Sequence, residues 1–125
     1  MTFAETLYSY LTGYAGIAAL VGARVYPVKL PQEPTLPALT YQRVSDAPEY
    51  SHDPGASYRP RMQITCWAGT YAGAEALATQ VNLASEAWHA AMGGAAFVEN
   101  VIDLSDPATG IYQVAVDTVF EGIEP

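Results

Sequence analysis

The sequence predicts an α+β fold in which two helices pack on an antiparallel sheet of about five strands, in the order α-β-β-β-α-β-β, with a mixed sheet as the alternative. Three observations carry this prediction. Two long stretches repeat apolar residues every three or four positions, five shorter ones alternate or are rich in β-formers, and clusters of glycine and proline separate them. With 125 residues, half of them hydrophobic and 14% charged, the chain is expected to be a single domain over residues 1–125 built around one core. No internal repeat, low-complexity tract or linker divides it.

From residue 3 to residue 21, Phe3, Leu7, Leu11, Tyr14, Ala18 and Val21 draw one apolar stripe, the mark of a helix lying on a surface. Thr2 can cap its start, Glu5 can complete a capping box, and Gly22 suits a left-handed stop; Gly13 and Gly16 weaken its middle. RVYPVKL reads as a short strand. The four prolines Pro27, Pro31, Pro34 and Pro37 then make an extended surface connector, because each lacks the N–H a ladder needs. ALTYQRVS and RMQITCWA form a long hairpin, the second strand placing Met62, Ile64 and Cys66 on one side and Arg61, Gln63, Thr65 and Trp67 on the other. The clearest helix follows, capped by Thr70 and ended by Gly93 and Gly94, with Ala74, Leu77, Val81, Ala84, Trp88 and Ala91 on one face. FVENVIDL and IYQVAVDTVF close the chain as two strands joined by SDPATG, where Pro107 and Gly110 favour reversal. In the last of them Tyr112, Val114, Val116, Thr118 and Phe120 share a face.

Thirteen acidic residues against five basic ones give a net charge of −8, which disfavours binding to phosphate backbones. A surface this poor in charge, with nine tyrosines and two tryptophans, suits a molecule that buries part of its exterior against a partner. The N-terminus lacks a basic opening followed by an apolar run, and no uncharged apolar stretch reaches the ~20 residues of a membrane span, so an intracellular, soluble protein without a membrane partner is expected. One cysteine forms no internal disulfide.

Chemistry finds little purchase. Cys66 with His52 or His89 as base would make a small cysteine-dependent enzyme, but the thiol sits among alternating apolar positions with no lysine nearby to lower its pKa. His52 and Asp53 are adjacent, hence divergent in an extended loop, and no third ligand has usable spacing for a metal. His89 suits the negative end of its helix. The Gly93-Gly94 pair and the Gly22-Ala23-Arg24 run lack the strand, glycine loop and helix order of a phosphate site. No catalytic, cofactor-binding or metal-binding residue is therefore assigned. A monomeric binding module remains a further alternative.

The segments LVGARVYP (residues 20–27), PQ with LPALTY at the start of the next strand, and RMQITCWA before an alanine-rich helix resemble the tail-completion or tail-terminator family of long-tailed bacteriophages and phage-like particles such as gene-transfer agents. The resemblance extends over nearly the whole chain. It departs at Thr65, where the family tends to carry an acidic residue, and at Cys66, where an aliphatic residue is usual and the thiol is accordingly structural. The resemblance implies a non-enzymatic virion protein of the tail or neck, assembled in the bacterial host cytoplasm without a cofactor. It implies a homo-oligomer, a hexameric ring, that ends polymerisation of the tail tube and joins it to the head–tail connector or stopper protein. A neck adaptor or stopper on the capsid side is the alternative role within the same particle.

In that setting the hairpin loop at residues 46–58 becomes the candidate interface. Each arm could reach ~20 Å beyond the sheet at ~3.3 Å per residue. Asp46, Glu49, Tyr50, His52, Asp53, Tyr58, Arg59 and Arg61 supply its polar and aromatic contacts, and ordering on assembly is expected. Six copies of −8 make −48, a field that would let DNA pass through the ring without specific binding.

Overall fold

The computed structural model of the protein describes residues 2–45, 59–104 and 110–121. Three helices and a five-stranded mixed sheet follow in the order α1 (Phe3–Gly13), α2 (Ala15–Val21), β1 (Val25–Pro27), β2 (Ala38–Ser45), β3 (Arg61–Ala68), α3 (Tyr71–Met92), β4 (Ala95–Asp103) and β5 (Tyr112–Glu121). The strands lie side by side as β1-β2-β3-β5-β4. Their pairing is antiparallel except between β1 and β2, which run parallel, so the mixed alternative is the one realised. The arms of the long hairpin have the expected bounds; its tip at residues 46–58, and the turn at residues 105–109, lie outside the described residues.

The first helix is two helices. Tyr14 takes an extended conformation (φ −77°, ψ 119°) between Gly13 and Ala15 and breaks the ladder at the weakened stretch. The break shifts the helical phase: Phe3, Leu7 and Leu11 are buried as expected, but beyond it Ile17 and Val21 face the core, while Tyr14 and Ala18 are only half-buried. At the start of α1 the Thr2 hydroxyl accepts from the Glu5 N–H at 3.2 Å and donates to the Glu5 carboxylate at 3.1 Å. The carboxylate thus meets the cap's hydroxyl, where a reciprocal capping box would take it to the cap's backbone N–H.

β1 is short because Pro27 ends it, and as an edge strand it can tolerate a residue without an N–H. Arg24 holds the proline-rich connector against the end of α2, its Nε donating to the Pro37 carbonyl at 2.9 Å and an Nη to the Leu20 carbonyl at 3.4 Å. α3 begins as predicted, with the Thr70 hydroxyl accepting from the Gly73 N–H at 3.0 Å, and ends at Gly93 in the left-handed region (φ 84°). Its buried stripe comprises Ala74, Leu77, Ala78, Val81, Ala84, Ser85 and Trp88. Ala91, expected on that stripe, is exposed in the last turn.

The helices all contribute to one core on one face of the sheet. Trp88 is its centre, meeting Phe120 at 4.7 Å, Tyr10 at 4.9 Å and Phe3 at 6.2 Å between ring centroids, in edge-to-face arrangements. The Tyr10 hydroxyl donates to the Ala84 carbonyl at 2.6 Å and ties α1 to α3. β3 and β5 supply Met62, Ile64, Cys66, Val114, Val116 and Phe120 from below, the alternation read from sequence. β5 departs from a one-sided strand, since Ala115 and Val119 are buried as well. Flanked by β3 and β4, it has both faces shaded by the side chains of its neighbours.

Candidate functional site

Of the eight residues expected to form an interface, Asp46, Glu49, Tyr50, His52, Asp53 and Tyr58 lie outside the described residues. Arg59 and Arg61 stand where the chain enters β3, and both are engaged within the protein. Arg59 pairs with Glu121 at the end of β5. Arg61 reaches across β5 to Glu99 on β4 at 2.5 Å. Glu99 is available there because a bulge between Val98 and Asn100 leaves it without a partner on β5. These half-exposed pairs pin the β3, β5 and β4 ends together rather than presenting unpaired cations.

The sheet face opposite the helices is banded. The indole Nε1 of Trp67 donates to the Thr40 hydroxyl at 2.9 Å, and Gln42 Nε2 donates to Gln63 Oε1 at 3.0 Å. Each pair joins β2 to β3 across the ladder and satisfies its own polar atoms. Toward β4 the same face becomes acidic and apolar, with Asp117, Glu121 and the half-exposed Phe97. One carboxylate oxygen of Asp117 is buried without a hydrogen-bond partner among the described residues.

A groove of about 370 Å³ opens on the helix side, where the start of α3 overhangs the end of β4. Tyr71, Glu75, Thr79, Asn82, Val101 and Asp103 line it. The Tyr71 hydroxyl faces the carboxylates of Asp103 and Glu75, and hydrogen bonding toward them, Asp103 foremost, together with their charge pushes its ionisation up to about 12. Its ring stands edge-on to Tyr112 at 6.2 Å. Sequence reading missed this constellation: the i, i+4 spacing of Tyr71 and Glu75 on α3 was there to be read, but Asp103 joins them only when β4 pairs with β5 beneath α3.

Two of the chemical candidates, Cys66 and His89, have structural roles. Cys66 is fully buried between Leu39 and Val114 on the core face, and burial pushes its thiol well above the usual range, the reverse of what an attacking thiolate needs. His89 is bonded through Nδ1 to the Gly94 carbonyl at 2.8 Å, closing the end of α3. His52, the other histidine, is outside the described residues. Among the described residues no cluster of three metal-ligating side chains occurs, and no helix is long and apolar enough to cross a membrane.

Comparison with known proteins supplies what geometry alone does not. The family model described as "Tail completion protein gp17" matches residues 5–118. Among solved structures, a chain described as "Virion of native gene transfer agent (GTA) particle" shares the fold, with a TM-score of 0.69 and 19% identity over 92% of this chain and 90% of that one. No protein of curated function matches the chain. The match over residues 5–118 shows that the chain belongs to the tail-completion family, the structural proteins of phage-type tails, and is a virion component.

Proposed function

We propose that the protein forms a ring at the head-proximal end of the tail tube, where it ends tube polymerisation and joins the tail to the head connector. Residues 1–125 act in this as a single domain, and no reaction is catalysed. The observation that carries the reading is the family match, which runs through every element of the sheet and all three helices. The fold supports it in a specific way. All the helices are on one side of the sheet, so the subunit offers two unlike faces, a helical layer and a banded bare sheet.

A terminator needs that asymmetry. One surface must accept the last tube subunit, and the other must fail to accept a further one while binding the connector. A ring of identical subunits adds the requirement of a head-to-tail contact between two different patches whose rotation closes, six copies being the expected number. The low content of lysine and arginine in the chain, five residues in all, favours passage of DNA through such a ring without retention.

Deleting the gene tests the reading. Terminator function predicts tubes of uncontrolled length and filled heads without tails, both reversed by supplying the protein in trans. Tails of normal length that fail only to join heads would move the role to a neck adaptor or stopper.

A further inference from the structure

The two edges of the sheet differ in a way that suggests how one subunit meets the next. At one edge β1 ends in Pro27, followed by Val28, which is 65% exposed, and Lys29, also exposed. Val28 has a positive φ of 68° and is anchored by its N–H to the Tyr41 carbonyl at 2.9 Å, so the strand end projects in a defined direction. Of the five basic residues, Arg24 is bound to carbonyls, Arg59 and Arg61 to carboxylates, and Arg43 has a partner; Lys29 makes no ion pair among the described residues. The opposite edge, β4, carries the acidic groove with Glu75 and Asp103 beside the half-exposed Val101.

Register relates the paired residues of the two edges, Val28 and Lys29 following directly on the last of them, Pro27. One row of Cα partners crosses the sheet from Val25 through Leu39, Cys66 and Val114 to Asp103. Two residues on, another runs from Pro27 through Tyr41, Ile64 and Val116 to Val101. Four interstrand gaps of ~4.8 Å separate the two edges by ~19 Å. A cation with an apolar neighbour at one end of a row and an acidic groove with an apolar wall at the other are complementary only between different copies, which is the condition for a head-to-tail contact.

We infer that the Glu75–Asp103 groove of one subunit receives Val28 and Lys29 of a second copy of the chain, so that the β4 edge of each subunit abuts the β1 edge of the next. The inference rests on the ring reading above and assigns its surfaces. Lys29 sits between the two carboxylates, and Val28 covers Val101.

The test uses Lys29→Cys and Glu75→Cys, singly and together, with Cys66 silent because it is buried, and a short bis-maleimide applied under conditions where native mass spectrometry shows the wild type assembled. The double variant is expected to give a ladder of covalent multimers ending at the ring's stoichiometry, and neither single variant a ladder. Lys29→Glu is expected to raise the assembly concentration at least tenfold, and Glu75→Lys in the same chain to recover most of that loss. A double variant that assembles by native mass yet cross-links no neighbours would overturn the assignment and leave the ring standing. Dimers from Lys29→Cys alone would replace it with a symmetric contact. A wild type that stays monomeric at every concentration and on purified tubes would remove the ring and this contact together.

Discussion

Replacing Trp88 separates two contributions that the core combines. The residue is 1% exposed and touches the rings of Phe3, Tyr10 and Phe120, yet its indole Nε1 has no hydrogen-bond partner among the described residues. The void bordered by Trp88, Leu7 and Ile64 is about 10 Å³, at the lower limit for holding one water. Trp88→Ala removes the centre of the aromatic cluster, and truncations of this kind cost about 3–5 kcal/mol. Against a total of about 5–15 kcal/mol for a natural domain, that is a large share of the stability. Trp88→Phe behaves differently. Loss of the fused ring costs about 2 kcal/mol in burial and packing, while removal of a buried unsatisfied donor returns about 1–3 kcal/mol. The two nearly cancel, and a net change within about 1 kcal/mol of wild type is expected. Urea unfolding followed by far-ultraviolet circular dichroism, with unchanged m-values, gives both numbers. A cost above about 2 kcal/mol for Trp88→Phe would refute the reasoning, because it would mean that the indole N–H is satisfied in the native protein.

Other expectations are simpler to check. Cys66 should stay unreactive toward a thiol reagent at pH 8 in the native protein and react at the rate of unfolding, while Cys66→Ala keeps assembly intact; fast native labelling would contradict the burial of the thiol. Thr70→Ala should lower stability by about 1 kcal/mol in urea titrations by removing the cap of α3. Gly93→Ala should cost about 1–2 kcal/mol because an L-residue is strained at its φ of 84°, whereas Gly69→Ala, with open space for a Cβ, should be near neutral. Tyr71 should ionise at about 12, seen as a phenolate absorbance step missing from Tyr71→Phe. Because that folded value lies above the ordinary 10.0, the associated stabilisation is full below pH 10 and fades as pH rises toward 12.

The elements that sequence reading placed best are those with redundant signals. β2 and β3 combine β-branched and aromatic residues with clean alternation, and α3 has a threonine cap, a glycine stop and an apolar stripe that agree. The break at Tyr14 was harder. A continuous apolar stripe through the glycines Gly13 and Gly16 reads as one weakened helix, and only tertiary packing decides that the chain bends and buries Ile17 in place of Ala18. The parallel pairing of β1 escaped composition as well, since it depends on a connector whose course is held by Arg24 against carbonyls that any residue could supply. For function, the family resemblance was legible in short segments because those segments build β1 and the two arms of the hairpin. The groove around Tyr71 was only half legible, because Glu75 follows Tyr71 by one helical turn while Asp103 approaches through the pairing of β4 with β5.

The central claim is that the protein works by position and shape at the junction of head and tail. Cryo-electron microscopy of intact particles, with and without a tag on this chain, tests it most directly. The account predicts tag density in a single ring between the last tube layer and the connector. Tag density at the distal tip, along the tube or inside the head would contradict it.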